Sequence, residues 1–119
     1  MGTWYSRPVL FVSDVERSIR FYVDRLGFKE TWRHEDKQDP FVGQVDRDGT
    51  ELIFSSQWPD KIGRGLIFIS LDPADVSAVR AELEKAGVEL KSGWWGYPLM
   101  IVEDPDGNEL YIPDNAENA

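Results

Sequence analysis

A repeat constrains this chain more than any other feature. A shift of 58 residues lays Asp46, Asp48, Gly49, Glu51 and Leu52 of "DRDGTEL" onto Asp104, Asp106, Gly107, Glu109 and Leu110 of "DPDGNEL". The same shift carries Asp14 onto Asp72, each standing directly after an apolar run, "PVLFVS" and "LIFISL". Each Asp opens a segment of helical pattern that ends in Gly, at Gly27 and Gly87, where the offset has become 60. The second helix is therefore about two residues longer, and the register then returns. A chain of 119 residues that repeats strand, helix and turn in this order duplicates a β-α-β-β-β unit. We expect a single domain over residues 1–119, with module one at about 6–58, module two at about 64–113 and a short C-terminal tail.

Local chemistry supports each element. Val15, Ile19, Tyr22 and Leu26 make one apolar stripe at helical spacing, and Val76, Val79, Leu83 and Ala86 make the other. Ser13 or Asp14 can cap the first helix, with Glu16 completing a capping box if Ser13 is the cap. Asp72 is the expected cap of the second, with Pro73 at its first position. Gly27 and Gly87 suit the left-handed residue past each helix end. Asp48-Gly49 and Asp106-Gly107 are turn signals between antiparallel strands. Further strands are expected at Phe28–Glu35, Phe41–Val45, Val88–Lys91 and Leu99–Glu103, and residues 56–64 form a turn-rich joint.

Alternation sorts the strands into faces. Leu10, Val12, Leu52, Phe54, Ile67, Ile69, Leu71, Leu110 and Ile112 should lie under the helices. Arg7, Val9, Phe11, Ile53, Ser55, Leu66, Phe68, Glu109 and Tyr111 should line the opposite face. The fold class is thus α+β: two tandem βαβββ modules forming a curved mixed sheet, helices on one face and a concave groove on the other. That groove is where a ligand would sit.

Charge narrows the partners. Thirteen basic and 22 acidic side chains give a net charge of −9, a field that repels phosphate backbones and attracts cations. Nucleic acid is not expected as a partner, and neither is a membrane, since no apolar run reaches spanning length. The N-terminus lacks the pattern of a secretory signal, so the expected location is cytoplasmic. With no Cys in the sequence, disulfides, thiolate metal sites and a Cys nucleophile are excluded.

The paired units, with "VSDVERSIRFYVDRLGF" and "VEDPDGNEL", resemble the vicinal oxygen chelate superfamily, which includes glyoxalase I, extradiol dioxygenases, fosfomycin-resistance enzymes and bleomycin-resistance proteins. The resemblance covers about Ser6 to Pro113. It implies that metal-dependent members hold a divalent ion with His, Gln or Glu on four strands. Aligned on the motifs, those positions fall at Arg7, Ile53, Leu66 and Tyr111, none a normal ligand for such an ion. The resemblance is therefore to the metal-free, bleomycin-resistance-like branch. It implies a homodimer with two interface grooves, no cofactor, no metal, no catalytic residue, and a cationic or aromatic small molecule sequestered by affinity. A bleomycin-type glycopeptide antibiotic is the expected ligand. The alternative is a lyase or isomerase of the glyoxalase or dioxygenase kind, with a non-standard metal site or with His34, Glu109 or Tyr111 in acid-base work.

The expected ligand contacts are Trp32, His34, Phe41, Ile53, Ser55, Trp58, Leu66, Phe68, Trp94, Trp95, Tyr97 and Tyr111, since aromatic faces stack on planar heterocycles and attract cations. Glu30, Glu35, Asp36 and Asp39 would add negative charge at the groove mouth. Plainer duties are open to each: Trp32 and Phe41 as core or dimer contacts, one of Trp94 and Trp95 as packing, the acidic stretch as a solvated loop. In "FKETWRHE", alternation places Phe28, Glu30, Trp32 and His34 on one face, so that Glu30 could orient His34 as a base. A surface histidine without that duty is the competing reading.

Overall fold

The computed structural model of the chain describes residues 2–37 and 39–115. Its elements run β1 (Val9–Phe11), α1 (Val15–Asp24), β2 (Lys29–Asp36), β3 (Asp39–Arg47), β4 (Thr50–Ser55), β5 (Leu66–Phe68), α2 (Val76–Lys85), β6 (Lys91–Trp94), β7 (Pro98–Glu103) and β8 (Glu109–Pro113). They form two four-stranded sheets of identical plan, β1-β4-β3-β2 and β5-β8-β7-β6. In each the first strand pairs in parallel with the last (Val9 with Ile53, Leu66 with Glu109), and the other pairs are antiparallel. The α+β class and the tandem βαβββ plan read from the repeat are those observed.

Alternation delivers the core. Leu10, Val12, Leu52, Phe54, Leu110 and Ile112 are buried, joined by the α1 stripe of Val15, Ile19, Tyr22 and Leu26. Residues of both modules belong to one cluster, against which Ile67, Ile69 and Leu71 pack half-buried. Gly27 and Gly87 adopt φ of +73° and +81°, the left-handed region open to glycine without cost.

One open choice is resolved and three local expectations are corrected. Asp14, not Ser13, caps α1: its Oδ1 accepts from the Arg17 N–H at 3.0 Å, while the Ser13 hydroxyl donates to Asp106 and Glu16 binds Arg33, so no capping box forms. Asp72 heads a 3₁₀ turn, Pro73–Asp75, and makes no side-chain cap bond; α2 begins only at Val76. The sixth strand lies at Lys91–Trp94 rather than Val88–Lys91, because Val88 and Leu90 pack against the core before the chain joins the sheet. The repeated turns also differ. Asp48 and Gly49 make a two-residue turn, both at positive φ, between paired Arg47 and Thr50, as a hairpin of this length requires. Residues 104–108 instead make a wider turn between paired Glu103 and Glu109. Pro105 lacks an N–H for the ladder, and the chain wraps the Asp104 carboxylate, whose Oδ1 accepts from the N–H groups of Asp106 and Asn108.

That second turn joins the modules. Asp104 is buried, and its Oδ2 accepts from the Tyr22 hydroxyl at 3.0 Å and the Asn108 amide at 3.1 Å. Asn108 also donates to the Phe11 carbonyl and accepts from the Gly65 N–H. Arg17 and Ser13 hold Asp106 from the same side.

Candidate functional site

The open face of the first sheet centres on one hydrogen-bonded glutamine among apolar and aromatic side chains, and that of the second sheet on exposed rings. In the first sheet the register lines up Val9, Ile53, Gln44 and Trp32 across four strands. Gln44 is only 3% exposed yet fully satisfied. Its Oε1 accepts from Arg7 at 2.6 Å and from the Trp32 indole N–H at 2.9 Å. Its Nε2 donates to Asp46 at 2.7 Å and Glu51 at 2.9 Å, carboxylates paired directly across β3 and β4. Like charges in that relation repel, and the Gln44 amide between them offsets part of that cost. Tyr5 lies near Glu51, whose carboxylate raises its phenol pKa, and the Arg7 guanidinium sits 5.4 Å over the Tyr5 ring.

A bulge decides which residues of β2 share this face. The register slips between Glu30 and Trp32, so Glu30 pairs with buried Val45 and falls on the helix side. There Arg33 gathers Glu30, Glu16 and Glu35, and its own pKa is raised, first by the Glu30 bond and then by Glu16. The expected row of Phe28, Glu30, Trp32 and His34 is thus split, because a bulge inserts one residue and reverses the alternation behind it. Glu30 cannot orient His34, and Glu30 and Glu35 are not free charges at a groove mouth. Trp32 and His34 remain together on the open face, rings 5.6 Å apart. Asp36 is exposed, whereas the side chain of Asp39 lies outside what the structure describes.

The other expected contacts fall as follows. Ile53 is half-buried and Ser55 is buried. Phe41 is half-buried and stands unpaired at a second bulge, where the register slips between His34 and Glu35, its carbonyl accepting from the Ser56 N–H. Trp58 is exposed and packs edge-on against Phe11, with Lys61 over both rings at 5.5 and 5.3 Å. In the second sheet Leu66 and Phe68 are exposed, and Phe68 pairs with Tyr111. Trp95 stands 5.6 Å from each of Phe68 and Tyr111, edge-on to the latter. Trp94, one residue earlier, is 73% exposed and pairs with Pro98; Tyr97 lies in the turn beyond, its carbonyl accepting from the Trp95 N–H.

The two aromatic groups therefore differ. The rings of the first module already carry Lys61 and Arg7, whereas among the described residues no cation lies over Phe68, Trp95 or Tyr111. A cleft of about 300 Å³ lies where the N-terminal segment passes the start of β4 and the end of β5, lined by Tyr5, Pro8, Glu51 and Phe68 among others. It brings the acidic end of one face to the aromatic end of the other. Arg7, Ile53, Leu66 and Tyr111, the positions that align with metal ligands, offer no suitable donor set, and among the described residues no three His, Cys, Asp or Glu side chains are grouped to hold a metal. Sequence reading passed over Gln44, Tyr5 and Lys61. The alternation Val42-Gln44-Asp46 could have placed Gln44 on the open face, but its partners come from three other strands and segments.

Comparison with known proteins follows the same line. Residues 4–112 match the family described as Glyoxalase/Bleomycin resistance protein/Dioxygenase superfamily. No curated protein matches the sequence. Among solved structures the fold is similar to TnmS3, an antibiotic binding protein from Streptomyces sp. CB03234 (TM-score 0.75, 24% identity, 95% of this chain and 97% of that one). It is also similar to a glyoxalase/bleomycin resistance protein from the same Streptomyces strain (TM-score 0.69, 26% identity, 91% and 99%). A third is the bleomycin-binding protein of Streptomyces verticillus, solved with copper(II)-bleomycin (TM-score 0.73, 22% identity, 99% and 100%).

Proposed function

For a chain that belongs to the glyoxalase/bleomycin resistance protein/dioxygenase superfamily, we propose a role in binding: sequestration, without chemistry, of a cationic aromatic small molecule, most specifically a bleomycin-type glycopeptide antibiotic. The observation that carries this reading is the uncovered triad Phe68, Trp95 and Tyr111, with Phe68 40% and Trp95 55% exposed. Exposed aromatic area of this kind marks a binding surface. Its three rings stand edge-on or tilted to one another, leaving faces for a planar heterocycle. Glu51 at the neighbouring cleft and the net charge of −9 draw a cation toward it.

The groove is completed by a second copy. The described chain is flat, 51 × 42 × 24 Å, with a radius of gyration of 15.0 Å, against about 13.5 Å for a compact chain of this length. Both open faces stay uncovered, and a homodimer that sets one face against another would enclose a ligand between Trp32 and His34 on one side and the triad on the other. Low-identity likeness to antibiotic-binding proteins agrees with this assignment at the level of the fold.

The test is a tryptophan-fluorescence titration with metal-free and copper-loaded bleomycin, with stoichiometry from calorimetry. We expect saturable quenching at one ligand per chain, weaker at higher salt, and a loss of at least tenfold in affinity for Trp95→Ala. Absence of any response at high micromolar ligand would remove bleomycin and leave the fold untouched.

A further inference from the structure

The repeat has a second consequence, on the helix side of the sheets. Helix α1 packs on its own sheet and meets the β-turn of the other module through Tyr22, while α2 meets the Arg47–Thr50 turn through Glu82. At α1 this seam is filled: Ile19, Tyr22 and Leu26 are all buried, and the Tyr22 hydroxyl closes on Asp104. At α2 the corresponding stripe is Val79, Leu83 and Ala86, smaller at each step, and only Val76 and Leu83 of that helix are buried. A cavity of about 510 Å³ lies there, between α2, the Arg47–Thr50 turn and the helix side of β7 and β8. Its walls include Leu26, Phe28, Ile69, Leu83, Leu110 and Ile112, on the opposite side of the sheet from Phe68 and Tyr111.

We propose that this cavity is a second binding site, taking one apolar molecule that carries no negative charge and is about three aromatic rings in size. Two observations define the occupant. The inner wall is apolar, built from Leu26, Phe28, Ile69, Leu83, Leu110 and Ile112, while the polar side chains of the lining are exposed or half-exposed ones at the mouth. An apolar guest can cover that inner wall and leave its outer edge at the polar mouth. The rim sets the sign of charge that is refused. It carries Asp48, Asp72, Asp75 and Glu82 against the single cation Arg47, which is committed to Glu82 at 2.7 and 2.8 Å and to the Leu26 carbonyl. Among the described residues no cation pairs with Asp72 or Asp75, so an anion approaching this rim is repelled. This site does not depend on the antibiotic-binding reading.

Two probes with one body separate the possibilities: N-phenyl-1-naphthylamine, which is neutral, and 1-anilinonaphthalene-8-sulfonate, its anionic relative. Titrated into the full chain, the neutral probe should saturate at one per chain, with the sulfonate at least tenfold weaker. Val79→Phe, which fills the cavity, should weaken the neutral probe at least tenfold, while Trp95→Ala on the open face should leave it within twofold. Asp72→Asn with Asp75→Asn should narrow the gap between the probes without weakening the neutral one, and this pair of surface changes decides the matter if Val79→Phe does not fold. The proposal is overturned by no saturable binding, by binding indifferent to Val79→Phe or lost with Trp95→Ala, or by an unchanged ratio in the double Asn variant. A neutral-probe signal that appears only on dilution would assign the cavity to a second copy of the chain, and would overturn it too.

Discussion

Asp104 shows what one buried carboxylate does for this chain. Burial pushes its pKa above the ordinary 3.8, against the pull of donors from Asn108, the Asp106 N–H and Tyr22. A raised carboxyl favours folding fully below its unfolded value, and that contribution is lost as pH rises through the raised folded value. Glu16 and Glu82 run the other way. Arg33 and Arg47 hold them below 4.5, so their contribution is present above that value and fades as pH falls. Tyr22→Phe removes a hydrogen bond to a charged, buried acceptor, a loss of about 1.5–3 kcal/mol. We expect that cost in urea unfolding at pH 7, and a smaller one at acid pH, where protonated Asp104 no longer needs the donor. An equal cost at both pH values would show Asp104 to be neutral throughout. At Gln44 the reasoning is similar. The amide separates Asp46 from Glu51 and fixes the Trp32 indole, so its place on the open face is held by four partners rather than by its own conformational preference.

Between elements, the two helices carry equivalent sequence signals with unequal results. Asp14 and Asp72 occupy matching positions of the repeat, yet only Asp14 caps its helix. Pro73 explains the difference: with no N–H to offer and a fixed φ, it draws the chain into a 3₁₀ turn before α2 begins. Asp14→Ala should therefore cost about 1 kcal/mol, and Asp72→Ala a few tenths or less, read as separate shifts in urea midpoint with unchanged slope. Equal shifts would mean that the 3₁₀ turn supplies a cap in solution. Strand β2 makes the same point through its bulge. The letters of "FKETWRHE" alternate as a regular strand should, but Arg33 attracts Glu16, Glu30 and Glu35 on the helix side. The slip at Thr31 lets Glu30 reach it while Trp32 keeps to the open face. No count of apolar and polar residues within β2 contains that preference, because Glu16 belongs to α1.

For the whole molecule the uncovered surface matters most. Val9, Trp58, Leu66, Phe68, Trp95 and Tyr97 are all exposed, apolar groups that a second copy could cover. Sedimentation at micromolar concentration should give a dimer; a monomer throughout would remove the interface groove and leave the family assignment standing. The repeat, the glycine helix ends and the apolar alternation determined the plan of this protein from sequence alone: two βαβββ modules, the order of their elements along the chain and much of the core, though not Phe28, Val45, Leu99, Met100 and Val102. Those signals are local, written in spacings of two or of three to four residues that backbone geometry obliges every strand and helix to obey. The chemistry of the faces was decided only by tertiary structure. The bulge that parts Glu30 from His34, the four-partner Gln44, the cations already seated on Phe11, Trp58 and Tyr5, and the space left beneath α2 each depend on side chains distant in sequence. Such contacts arise from charge and volume matched across elements, and only the folded chain brings those elements together.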